Sequence, residues 1–297
     1  MSLEQRFPLV QQTFDIFLLD AESRGLTPST LTYYRQRVGR FIRWCDEQGV
    51  KYINEIGTNH LRYYLIHLQQ QNLASQSQHT AASAIRAFLN FCVDEQWIDE
   101  TPMKRLRMPR VDKKILKALE RDDVHTLLAH CKSERDKAIV LCLLDTGCRA
   151  SEFVALRGQD INLKDGSVRV MGKGKKERLT YLGVKARKQL LRYYTERGTP
   201  SESEPVWVSE KEREQLTYSG LHQILKRLGR RADVEECTAH TFRRTFALWS
   251  LRNGMNIFSL QRLMGHSDIH VLQRYLALVE RDLQDAHQNY GAVDKML

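Results

Sequence analysis

AHTFRRTFALWSLRNGMNIFSLQRLMGHSDIHVLQRYLAL, Ala239 to Leu278, is the stretch around which this chain is organised. It sets His240 and Arg243 three residues apart, then His266 in the tripeptide MGH, then Tyr275 nine residues further on. Residues at i and i+3 are neighbours on a helix, so His240 and Arg243 share one face if the segment is helical. Two imidazoles, a guanidinium and a phenol that can converge point to chemistry on a phosphate. Arginine offers a planar fork of donors that matches phosphate oxygens, and tyrosine can act as a covalent nucleophile. A matching half-site is expected upstream, and TGCRASE, Thr146 to Glu152, is the best candidate.

The rest of the chain bounds what such a site can belong to. A length of 297 residues suggests two domains. The net charge of +10 favours an acidic partner, for which nucleic acid is the common case. No apolar run approaches the roughly 18 residues of a membrane helix, and MSLEQRFPLVQQTFDIF lacks the layout of a signal peptide. A soluble, cytoplasmic protein associated with the nucleoid is therefore expected. Cys45, Cys92, Cys131, Cys142, Cys148 and Cys237 form no CxxC pair and no zinc-finger spacing, so reduced, buried thiols and no metal are expected.

Upstream of the half-site, apolar residues recur at helical spacing. Val10, Phe14, Phe17, Leu18 and Ala21 mark a first helix that Gly25 stops. A second follows Thr27 or Ser29 as cap, with Pro28 in its first turn and Gly49 at its end. Further helices are expected from Thr58 to Gln71 and from Ser75 to Glu95. Together they predict a small helical bundle over 1–101. The second helix carries Arg35, Arg37, Arg40 and Arg43 on one side. A solvated face is the ordinary reading of such a stripe, but the following segment, 102–117, is basic too and reads as an exposed linker. A basic linker between basic domains can lay its charge on the phosphates of a duplex.

The remainder, 118–297, predicts a mixed domain, mainly α with one small β-hairpin, so that the whole chain is α+β. Helices are expected at ERDDVHTLLAHC, at Ala138 to Leu144, from Ala150 to Gly158, at Lys185 to Glu196, over TYSGLHQILKRLGRRADV and from Glu280 to Tyr290. SVRVMGKGKKERLTYLG predicts the hairpin: Val168 and Val170 alternate with polar residues, Gly172 and Gly174 make the turn, and Leu179 and Tyr181 alternate again. VWVS is expected as a short strand.

TGCRASE, the lysine of MGKGKKER, HTFR, MGH and a tyrosine nine residues on occur in this order across about 130 residues. Together they resemble the signature of the tyrosine recombinase family, the phage integrase and Xer-type enzymes. The preceding bundle resembles that family's SAM-like core-binding domain, so the resemblance covers nearly the whole chain. It implies that Arg149, Lys173, His240, Arg243, His266 and Tyr275 are catalytic and that Glu152 orients Arg149. Lys173, Lys175 and Lys176 lie close together, and the family pattern favours Lys173. It also implies a C-shaped clamp on double-stranded DNA, a homotetramer on paired sites, and a related recombinase or accessory protein as a further partner.

The chemistry fits those roles. Two guanidiniums can bind both non-bridging oxygens of a phosphodiester and stabilise the charge that builds there. Tyrosine has an ordinary pKa near 10, so its proton must leave as it attacks, to His240 or to His266. A lysine on the hairpin can protonate the departing 5′ oxygen. No cofactor and no nucleotide motif is expected, because a 3′-phosphotyrosine conserves the bond energy. Candidate DNA contacts are Arg35, Arg40, Arg43, Lys104, Arg105, Arg107, Lys175, Lys176, Lys226, Arg230 and Arg231. Two other readings share these features: a type IB topoisomerase-like enzyme that relaxes DNA, and a non-catalytic architectural DNA-binding protein.

Overall fold

Thr27 begins the second helix of the chain by accepting the Thr30 N–H on its hydroxyl, and Pro28 fills the first turn, where its missing N–H costs nothing. A computed structural model describes residues 7–111, 117–172, 176–210 and 213–265. It divides the chain into two units, Met1–Lys114 and Ile115–Leu297.

The first unit is built from helices α1 (Val10–Ser23), α2 (Pro28–Glu47), α3 (Thr58–Gln70) and α4 (Ser75–Asp94). These are the expected helices to within a few residues. Their inward stripes join an aromatic core: the Phe17 ring meets Phe88 edge-on at 5.6 Å, and Phe41 meets Tyr64 at 5.0 Å. Each such fully buried side chain contributes roughly 1.5–3 kcal/mol. The basic segment expected as an exposed linker from 102 departs from that expectation at its start. Pro102–Arg105 forms a 3-10 turn capped by Thr101, and Met103 is buried in the helical core with Leu106 and Met108 against it. The Thr58 hydroxyl donates to the Pro102 carbonyl at 3.0 Å. The apolar residues interleaved among the basic ones, Met103, Leu106 and Met108, are the physical cause. Residues 112–116 lie outside the described residues.

The second unit holds α5 (Arg121–Ala129), α6 (Glu134–Thr146), α7 (Ala150–Val154), strands β1 (Ser167–Met171) and β2 (Glu177–Tyr181), then α8 (Val184–Arg197), α9 (Tyr218–Ala232), α10 (Ala239–Arg252) and α11 (Ile257–Met264). α6 is the central element, with Ala138, Ile139, Val140 and Leu143 fully buried, and Ser133 caps it. α7 is shorter than expected: it stops at Val154, and Gly158 opens a 3-10 turn instead of closing the helix. VWVS forms no strand beyond isolated bridges, yet Val206 and Trp207 are fully buried and Trp207 stacks on Phe153 at 4.6 Å. The helical stretch after Ala239 is broken at Asn253–Asn256, where Gly254 has a positive φ and the Asn256 side chain caps α11. The helix expected from Glu280 to Tyr290 lies outside the described residues.

The hairpin corrects one reading. β1 and β2 are antiparallel, with Val168 opposite Thr180 and Val170 opposite Arg178. Directly opposed residues share a face. The inward face of β1 is Val168 and Val170, so the inward face of β2 is Thr180 and Arg178, while Leu179 and Tyr181 are exposed. The apolar alternation of β2 marks its outer side. All six cysteines are free thiols, Cys131 half-buried and the others buried, and burial pushes the Cys45 thiol up to about 12. Among the described residues no helix is long and apolar enough to cross a membrane.

Candidate active site

α6 ends at Thr146, and Gly147 takes the left-handed conformation that lets the chain turn back at once. Arg149 then caps α7. Its backbone N–H donates to Glu152 Oε2 at 2.8 Å and its Nη1 donates to Oε1 at 2.8 Å. Glu152 is buried while its arginine partner keeps 41% of its side chain exposed, so one end of the pair faces outward. Burial works against the Glu152 charge, but hydrogen bonds from Arg178 and Arg149 outweigh it and hold the carboxyl below the ordinary range.

α10 brings the second arginine. Arg243 is buried, and its Nη1 donates to the Gly147 carbonyl at 2.5 Å and its Nη2 to the Met264 carbonyl at 2.7 Å. Arg149 Nη2 reaches the next carbonyl, Gly265, at 3.4 Å. Carbonyls at a helix C-terminus have no partner within the helix, and cations are favoured there. The end of α11 therefore gathers two arginines that lie 94 positions apart in the sequence (243 − 149). Burial and then the neighbouring Arg149 charge lower the Arg243 pKa to about 10, which leaves it charged at neutral pH. His240 sits one turn before Arg243 on α10. Partial desolvation of its ring, then the charges of Arg244, Arg243 and Arg149, depress its pKa and favour the neutral imidazole. A neutral imidazole among guanidiniums can accept a proton.

Residues 117–281 match the phage integrase family, and residues 14–99 match the phage integrase N-terminal SAM-like domain. The chain belongs to the phage integrase family. It is similar to tyrosine recombinase XerD of Shewanella oneidensis, at 32% identity over 93% of this chain and 95% of the relative. It is also similar to tyrosine recombinase XerA of Thermococcus kodakarensis, at 28% identity over 97% of both chains. Its fold is shared by a lambda integrase dimer bound to a COC′ core site, with a TM-score of 0.76 at 17% identity, over 91% of this chain and 77% of that one.

Of the residues that the phage integrase resemblance singled out, the structure brings Arg149, Glu152, His240 and Arg243 into one region. Lys173, Lys175, His266 and Tyr275 lie outside the described residues. Gly172, which precedes Lys173, donates its N–H to the Lys176 carbonyl at 2.8 Å, closing the hairpin next to this region. The candidate DNA contacts differ in how free they are. Arg35, Arg43, Arg107, Lys176, Lys226 and Arg230 are exposed. Arg40 donates to the Gln71 side-chain carbonyl, and Lys104 and Arg105 pair with Glu100 at 3.3 and 3.9 Å. Such surface pairs are worth little and open readily. Arg231 is half-buried and turned toward Asp136 at 3.9 Å.

One residue of this site was not read from the sequence. Arg178, with only 10% of its side chain exposed, donates Nη1 and Nη2 to the two oxygens of Glu152 at 3.1 and 2.7 Å, and Nε to the Leu263 carbonyl at 2.8 Å. The signal that could have found it is the equal length of the hairpin arms, which sets Arg178 opposite inward-facing Val170.

Proposed function

We propose that this chain is a site-specific tyrosine recombinase that cuts and rejoins double-stranded DNA through a 3′-phosphotyrosine. The observation that carries the reading is the convergence of Arg149 and Arg243 on the consecutive carbonyls of Met264 and Gly265, one residue before His266. Two anchored guanidiniums are suited to the two non-bridging oxygens of a phosphate, and such preorganised donors act on charge that develops in the transition state.

In this reading the Tyr275 oxygen attacks the phosphorus and its proton passes to His240 or His266. The bond from phosphorus to the 5′ oxygen breaks, and Lys173 gives that oxygen a proton. The phosphoryl group remains on Tyr275, so rejoining needs no nucleotide, and the guanidiniums supply the charge that a metal ion supplies elsewhere. The protein acts on paired sites as a homotetramer, in a Xer-like or mobile-element role, within the cytoplasm. The likeness to Xer recombinases and to a lambda integrase on its core site supports that setting.

The test is a nicked suicide substrate incubated in excess EDTA and run on a denaturing gel. The wild-type chain should form a covalent adduct, and Tyr275→Phe should bind the same DNA and form none. An adduct from the Phe variant removes Tyr275 from the role. Adduct and relaxation without strand exchange would favour a topoisomerase-like enzyme, and binding without adduct an architectural protein.

A further inference from the structure

Glu152 is shared. Its Oε1 accepts from Arg149 Nη1 at 2.8 Å and from Arg178 Nη1 at 3.1 Å, and its Oε2 accepts from the Arg149 backbone N–H at 2.8 Å and from Arg178 Nη2 at 2.7 Å. Each oxygen thus carries two donors, close to the capacity of a carboxylate. The two arginines use it unequally. Arg178 holds both oxygens as a bidentate fork and is nearly buried, whereas Arg149 spends one side-chain N–H on it and stays 41% exposed. Without a competitor, an arginine and a carboxylate three residues apart on one turn favour the bidentate pair. That geometry would consume the donors of Arg149 and draw its guanidinium down onto Glu152.

Arg178 is itself fixed from two further sides. Its Nε donates to the Leu263 carbonyl at 2.8 Å. Its stem lies against the backbone of Gly265, where an added Cβ would come within 2.9 Å of Arg178 Cδ, so a larger residue there would have to displace it. Gly265 also has a φ of 62°, a second reason for glycine there. The fork therefore has one orientation, set by β2, α7 and the end of α11.

We infer that Arg178 is a positioning residue for strand cleavage: by occupying both oxygens of Glu152 it keeps the Arg149 guanidinium to a single contact with that carboxylate, and the donors that Arg149 does not spend on Glu152 or on the Gly265 carbonyl face the phosphate. The inference rests on the recombinase reading for its activity readout, and on geometry alone for its structural one. Arg178→Gln cannot supply a charged fork. Arg178→Lys keeps the charge but cannot span two oxygens, so it should behave like the glutamine variant and not rescue it.

The experiment measures single-turnover adduct formation at saturating DNA, with DNA affinity measured separately. Both variants should lose about 10²- to 10³-fold in rate, the usual size for one transition-state donor, at unchanged affinity. A scissile methylphosphonate, which lacks one non-bridging charge, should restore them to within about tenfold of wild type on the same substrate, because less charge then needs Arg149. A bridging 5′ sulfur should not restore them. Rescue by sulfur instead would assign Arg178 to the hairpin lysine and overturn the inference. So would a loss that neither substrate restores and that tracks a fall in the melting midpoint, since that is a structural role alone. A crystal structure of Arg178→Gln separates this from failure of the recombinase reading. Both Nη atoms of Arg149 should lie on Glu152, and a retained single contact sinks the inference whatever the activity.

Discussion

Partial desolvation lowers the pKa of His240 from the ordinary 6.5, and the three guanidiniums around it, those of Arg244, Arg243 and Arg149, add to that effect. The neutral ring is the form that accepts a proton, and it stays fully populated above the ordinary value. It is lost only as pH falls through the depressed value in the folded protein. The rate of adduct formation should therefore hold level down to the ordinary imidazole range and fall below it. Arg244→Gln should move that acidic limb upward, and an NMR titration of the His240 ring should move with it. Arg244 is held by Glu236 at 3.3 Å and by the Thr241 hydroxyl at 2.9 Å, so its charge is a fixed part of this field. A limb at or above the ordinary value in the wild type would mean that His240 is not the group being read. At this scale much was legible. Arg149, Glu152, His240 and Arg243, which the structure brings together, stood out by residue type and spacing, because the proposed chemistry on phosphate draws on few side chains. Arg178 did not, because a charged residue that follows Glu177 and alternates with Leu179 and Tyr181 reads as part of the wet face.

The element that the site depends on most is the turn between α6 and α7. Gly147 sits there with a φ of 58°, and an added Cβ would meet Phe246 Cδ1 at 2.2 Å. Its carbonyl is also the acceptor for Arg243 Nη1. Gly25, after α1, has a similar φ of 69° and nothing within 4 Å of an added Cβ. The pair separates backbone strain from packing. Gly25→Ala should cost about 1–2 kcal/mol, the left-handed penalty alone. Gly147→Ala should cost about 3 kcal/mol or more, because overpacking against Phe246 adds to the strain. Denaturant unfolding measures both, and equal costs would show that Phe246 moves aside freely. Helix ends were readable where a specific group makes them: Thr27 as a cap, and Gly25 and Gly49 as stops. The end of α7 was not, because Ala155 to Arg157 are helix-compatible residues and the chain is diverted by backbone hydrogen bonds with Glu202, Glu204 and Val206 further along it.

Across the whole molecule, the first unit includes more of the chain than its four helices. Met103 is 4% exposed within the core of the first unit, and Leu106 and Met108 pack on it. A fragment ending after residue 110 should unfold cooperatively, whereas one ending at Thr101 should lose about 2–5 kcal/mol, the usual cost of deleting a buried methionine side chain. Urea titration of the two fragments checks this, and matching midpoints would return 102–110 to the role of a tether. The sequence by itself determined the division into a helical bundle and a mixed domain, the order of the helices, and the family, and it supplied the residues proposed to act on a phosphate. Helical periodicity, helix caps and motif spacing are local, and the side chains that can act on a phosphodiester are few. Only the tertiary structure decided which face of β2 is buried, that the basic segment after Pro102 belongs to a core, and that Glu152 is divided between two arginines. Each of these depends on what lies opposite a residue in space. Val170 across the hairpin, the apolar wall that receives Met103, and the carbonyls at the end of α11 lie up to 116 positions away along the chain.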